Sequence, residues 1–178
     1  MVAANNSKIY TRKGDEGFTK TLAGERIKKN SSVIIANGKI DSLQASLDQA
    51  KFTCKDKQIR IAIDSIQEKL WQTGGEISFA RVGGPVKSPV EEKNVVQLEK
   101  WIDQLTDGKN FRHFIRFNTP AAIALNEARV RCREAEIALV PLLEGNKIRP
   151  VVFKYINRLS DYIYAAACYC ESSKRKEW

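Results

Sequence analysis

The chain has 178 residues, 43% of them apolar and 29% charged, with a formal net charge of +9. That is enough chain for one domain with its own core. It has no run approaching the roughly 18 apolar residues that a membrane span needs, and its start, "MVAANNSKIY", lacks the apolar stretch of a secretory signal. A cytoplasmic protein with no membrane partner is therefore expected. The excess of positive charge points to an anionic partner. The basic residues are spread along the chain, apart from the tail "SSKRKEW", and no aromatic–basic interleaving suggests a base-stacking platform. Nucleic acid is thus not the expected partner.

The first informative stretch is "TRKGDEGFTKTLAG", residues 11–24, with three glycines, three threonines and three basic side chains ahead of any helical pattern. Backbone N–H groups in a glycine-rich turn can cradle phosphate, and nearby hydroxyls and cations add contacts. It is not a P-loop: Gly14 and Gly17 are three apart, and Phe18 stands where that motif has lysine. On residue chemistry alone it reads either as a phosphate loop or as a surface arm.

From Gly38 the pattern is helical. Ile40, Leu43, Leu47 and Ala50 fall on one face, and Ile59, Ile63, Ile66, Leu70 and Ile77 continue in the same period. Gly74 and Gly75 interrupt the second stripe, which predicts close packing or a kink. "RVGGPVKSPVEEKN", residues 81–94, reads as a loop between helices. A short helix follows, with Val95, Leu98, Ile102 and Leu105 as its stripe and Gly108 as its expected C-cap. Thr119 and Pro120 form a start signal for the next helix, whose stripe is Ala121, Leu125, Ala128, Cys132, Ala135 and Leu139. The last helix begins near Pro150 and buries Val152, Ile156, Leu159, Ile163 and Ala166. Almost nothing reads as strand. The fold expected is all-α: an antiparallel bundle of about five helices behind a glycine-rich N-terminal segment. We divide it into an N-terminal loop, residues 1–24, and a helical bundle, residues 25–178, forming one domain.

Two polar groups on these helices could carry chemistry. Arg129, Arg133 and Glu136 share one face of the fourth helix. On the residues alone, ordinary ion pairs, Glu127 with Arg131 and Arg133 with Glu136, are the preferred explanation. Asn157, Ser160, Asp161 and Tyr164 are expected on a solvated face of the last helix. Cys54, Cys132, Cys168 and Cys170 fit no zinc spacing, and the chain has one histidine, His113, so buried thiols are expected.

Four ordered segments together resemble one family. "YTRKGDEGFTKTLAGERIKK" (residues 10–29) is similar to Y-T-[KR]-x-G-D-x-G-x-[ST]…G-x-R-x-x-K. "GKIDSLQ" (38–44) is similar to G-x-[VI]-D-x-L-[NQ], and "YINRLSD" (155–161) to Y-[LI]-N-R-L-S-D. "ARVRCREAEI" (128–137) is similar to A-R-x-x-C-R-R-A-E-R. These are segments of the PduO-type ATP:cob(I)alamin adenosyltransferases, and the resemblance spans residues 10–164. It implies a ferritin-like, up-and-down five-helix bundle that assembles as a homotrimer with ATP bound between subunits. It implies transfer of the 5′-deoxyadenosyl group from ATP to the cobalt of reduced cobalamin, with Mg²⁺ on the phosphates. A flavin reductase and an adenosylcobalamin-dependent enzyme would be its partners.

Carried over residue by residue, the resemblance puts Thr11, Arg12, Lys13, Gly14, Thr19, Lys20 and Lys29 around ATP. Arg133, Glu136 and Asn157 complete that pocket. Asp41 pairs with Arg129 across a subunit boundary, and Arg129, Asp41 and Arg133 carry the catalytic arrangement. Phe114 walls off the lower face of cobalt. The chain departs from the pattern at Glu134, where a second arginine is usual, and at Ile137 and Ala138, which replace basic positions. Asn126 stands at the family's histidine, and "FIRFNTP" replaces F-x-L-P-G-G. A carboxylate replacing a guanidinium near the triphosphate is expected to weaken ATP binding, since both are anionic. A non-catalytic carrier or sensor on the same fold, and a basic bundle binding nucleic acid, are the alternatives.

Overall fold

The computed structural model describes residues 9–10, 12–79, 85–107 and 116–172. It is a five-helix bundle with one small hairpin. Two three-residue strands, β1 (Phe18–Lys20) and β2 (Arg26–Lys28), pair antiparallel, with Phe18 opposite Lys28, Thr19 opposite Ile27 and Lys20 opposite Arg26. The sequence shows almost no strand because three residues are too few for a period-2 pattern. Gly17 (φ 79°) enters the hairpin and Gly24 (φ 87°) turns it, both in the left-handed region that a side chain disfavours. Thr21 is buried and its Oγ1 accepts from the Glu25 amide at 3.1 Å, while the Leu22 amide donates to the Ser78 carbonyl at 2.8 Å. The hairpin is thereby tied to the bundle. It runs across the boundary expected after residue 24.

Helix α1 (Ser32–Thr53) begins six residues before Gly38, and its stripe gains Val33 and Ala36. The N-terminus of α2 (Lys57–Phe79) is capped by Asp56, whose Oδ1 accepts from the amides of Gln58 (2.8 Å) and Ile59 (3.0 Å). Gly74 and Gly75 do not break α2. A Cβ at Gly74 would stand 3.1 Å from Asn37 Oδ1, and one at Gly75 would stand 3.4 Å from Val86 Cγ1. Close approach is therefore what they provide. Helix α3 (Glu92–Thr106) starts inside the expected loop, behind a reciprocal cap between Glu91 and Asn94. Its C-cap is Asp107 (φ 46°); the expected Gly108 lies outside the described residues.

Helix α4 (Pro120–Glu144) opens on Thr119, whose hydroxyl accepts from the Ala122 amide at 3.3 Å. Its small residues Ala128, Cys132 and Ala135 are fully buried, which lets α1 and α5 (Pro150–Ser172) pack closely on both sides of it. Two buried carboxylates lock the ends. Glu76 on α2 is 2% exposed and takes Arg149 at the start of α5 in several bonds, the shortest 2.7 Å from Nη2. Glu171 near the end of α5 accepts from the amides of Asn118 (2.9 Å) and Thr119 (3.0 Å), just ahead of α4. None of the four cysteines forms a disulfide and all are buried. Ser160 differs from expectation: it is buried, and its hydroxyl donates to the Asn157 carbonyl at 2.8 Å.

Candidate active site

The hairpin and the turn before it enclose a cavity of about 530 Å³, a size suited to a nucleotide. Six of the expected residues line it: Arg12, Lys13, Gly14, Thr19, Lys20 and Lys29. Gly14 makes room for Lys29, because a Cβ there would fall 2.8 Å from Lys29 Nζ. Arg12 holds a left-handed backbone (φ 59°), uncommon for a residue with a side chain and typical of functional loops. Phe18 and Arg26 also line the cavity. The Arg26 guanidinium lies 3.7 Å from the centroid of the Phe18 ring. Five cationic side chains surround this space against one carboxylate, Asp15.

A second group sits on α4 and α5 and does not line that cavity. Asn157 Nδ2 donates to Glu136 Oε1 at 2.6 Å, across the two helices. The expected Arg133–Glu136 pair is not formed, and Arg133 projects to the surface without a partner among the described residues. Glu127 and Arg131 do pair, at 2.8 Å. Arg129 is held by Asn126, its Nε donating to Oδ1 at 2.9 Å, and lies 5.8 Å from the centre of the Tyr164 ring. Asn126 thus orients Arg129 from the position where the pattern has histidine.

Asp41 is exposed on α1 and lines a separate groove of about 320 Å³ between α1 and α2, beside Gln44, Trp71 and Gly74. Trp71 is 72% exposed in that groove. Within the chain Asp41 and Arg129 do not meet. Thr11 and Phe114 lie outside the described residues.

Glu134, the departure expected to oppose phosphate, faces elsewhere. It takes Lys39 Nζ of α1 at 2.9 Å and Arg131 Nη1 at 3.3 Å. Neighbouring helix positions diverge by about 100°, so Glu134 points to α1 rather than with Arg133 and Glu136. The Lys39 hydrogen bond, followed by Lys39 and Arg131 charge, holds its carboxyl below the usual range despite partial burial. The carboxylate is neutralised where it stands.

The chain has relatives among known proteins. The family model of the cobalamin adenosyltransferases matches residues 9–170. The chain belongs to the cobalamin adenosyltransferase family. Its relatives include the mouse corrinoid adenosyltransferase MMAB, 34% identical over 187 residues, covering 98% of this chain and 78% of the relative. The corrinoid adenosyltransferase PduO of Salmonella typhimurium is 33% identical over 162 residues, covering 89% of this chain and 48% of that longer protein. Among solved structures, a variant PduO-type ATP:corrinoid adenosyltransferase from Lactobacillus reuteri, complexed with cobalamin and ATP, superposes with a TM-score of 0.85. It is 30% identical, with 94% of this chain and 96% of that one covered. A second variant of that enzyme, complexed with ATP, gives a TM-score of 0.84 at the same identity.

Membership fits the five-helix bundle. Sequence reasoning missed Phe18 and Arg26 as parts of this cavity. Arg26 is the arginine of the G-x-R-x-x-K segment, so the signal was available, but a stack between strands of three residues has no signature of its own. Among the described residues no cluster of His, Cys, Asp or Glu is grouped to hold a metal ion, and no helix is long and apolar enough to cross a membrane.

Proposed function

We propose that this chain transfers the 5′-deoxyadenosyl group of ATP to the cobalt of cob(I)alamin, giving adenosylcobalamin and triphosphate. The observation that carries this reading is the cationic cavity, in which six residues expected around ATP come together behind one short hairpin. Cobalt(I) attacks the ribose C5′; a Co–C bond forms, the C5′–O bond breaks, and triphosphate leaves with the electron pair. The substrate's own nucleophile does the chemistry, so the protein's contribution is orientation and stabilisation of charge on the leaving group.

In this reading Thr11, Arg12, Lys13, Gly14, Thr19, Lys20 and Lys29 hold the triphosphate. Arg133, Glu136 and Asn157 come from a neighbouring copy, with Glu136 and Asn157 already joined and Arg133 projecting outward. Asp41 meets the neighbour's Arg129, and the exposed Trp71 beside Asp41 supplies apolar surface for that contact. A cyclic homotrimer would join the two sets of residues, which do not line one cavity within a chain. Phe114 closes the lower face of cobalt. Asp15 and Thr19 are oxygen donors in the cavity and suit Mg²⁺ carried mainly on phosphate oxygens. Bound there, Mg²⁺ would spread the charge of the departing triphosphate. The setting is the cytoplasm, with a flavin reductase supplying cob(I)alamin and an adenosylcobalamin-dependent enzyme receiving the product.

The test is anaerobic incubation with ATP, Mg²⁺ and chemically reduced cobalamin, followed by absorption spectra. Formation of adenosylcobalamin is expected. A folded, assembled sample that binds both substrates yet forms no product would overturn the enzymatic reading in favour of a carrier.

A further inference from the structure

The hairpin presents an arrangement that folding alone does not favour. Lys20 and Arg26 stand directly opposite each other across its two strands, and Lys28 stands opposite Phe18 on the same face. Like charges placed opposite one another destabilise a strand pair, and this pair has only three residues per strand. Among the described residues the carboxylate paired with Arg26 is Glu16, at 3.6 Å and 85% exposed, too loose and too wet to neutralise it firmly. The Arg26 guanidinium is nonetheless held in place, stacked 3.7 Å from the centre of the Phe18 ring, a diagonal neighbour on the same face. A stacked guanidinium keeps its N–H edge free for an anion. Both residues line the cavity that holds Lys20 and Lys29.

We infer that Arg26, fixed by Phe18, is a further ligand of the polyphosphate chain and sets this cavity's preference for triphosphate over shorter phosphates. The inference rests on the reading of the cavity as the ATP site. The stack pre-orders the fork, so little side-chain freedom is lost on binding. A bound polyphosphate also removes the Lys20–Arg26 repulsion, so binding should stabilise the hairpin.

Calorimetry with inorganic tripolyphosphate, ATP, ADP and adenosine, on wild type, Arg26→Ala, Arg26→Lys and Phe18→Leu, tests this. Circular dichroism melts confirm that each variant is folded. Wild type should bind tripolyphosphate, and Arg26→Ala should weaken both tripolyphosphate and ATP by about tenfold or more, with adenosine unaffected and the ATP-to-ADP preference reduced. Arg26→Lys should recover only part of the loss, since an ammonium lacks the fork, and Phe18→Leu should fall between. Tripolyphosphate and ATP affinities equal to wild type in Arg26→Ala would overturn the role of Arg26 and leave the ATP reading intact. Wild type that binds neither tripolyphosphate nor ATP would remove the ATP reading and this inference together.

Discussion

Glu134 shows how the partners of a single residue depend on the fold around it. Its place in the motif suggested a carboxylate against triphosphate, whereas its bonds to Lys39 and Arg131 make it part of the α1–α4 contact. Glu134→Arg should therefore leave ATP affinity within about threefold of wild type, since less than 1 kcal/mol separates the two, and should lower the melting temperature by setting three cations together. Calorimetry and a thermal melt check both parts. Glu171 is a second case. Burial pushes its carboxyl up, but donors from Asn118 and Thr119 together prevail and hold it below the ordinary carboxylate range. A group with a lowered folded-state value stabilises above the unfolded value, about 4.3, and loses that contribution as pH falls through the folded value. Glu171→Ala should cost about 2–3 kcal/mol at pH 7 by orphaning those amides, and the gap to wild type should shrink below about pH 4. Urea titrations at the two pH values would show it.

At the scale of elements, the helices were legible because each repeats its apolar residues every three to four positions over many turns. Ile40–Leu43–Leu47–Ala50 and Ile59–Ile63–Ile66–Leu70 are buried as the period requires. The start of α4 was legible too, because Thr119 and Pro120 are local signals. What joins the elements was not. Glu76 and Arg149 are 73 residues apart, and nothing local marks Glu76 as the buried partner of a distant arginine. The hairpin escaped for the opposite reason, being too short to show a period. Glu76→Ala should be the most damaging change outside the site, costing about 3–5 kcal/mol, because it leaves the Arg149 guanidinium and amide without their acceptor at the joint of α2 and α5. Chemical denaturation with an unchanged m-value checks this.

For the whole molecule, the residues expected around ATP fall into two sets that one chain does not bring together: the hairpin cavity, and the Arg133/Glu136/Asn157 surface of α4 and α5. The motifs made both sets legible, but a sequence carries no sign of which copy completes which site. In the proposed trimer, each site takes its loop from one chain and its helical face from the next around a three-fold axis. Lys29→Ala and Arg133→Ala chains should each be nearly inactive alone. The decisive measurement is adenosylcobalamin formation by trimers assembled from equal amounts of the two variants. Shared sites predict recovery toward about a quarter of wild-type turnover, the share of sites that draw both intact halves from different chains. Mixed trimers no more active than either variant would contradict them.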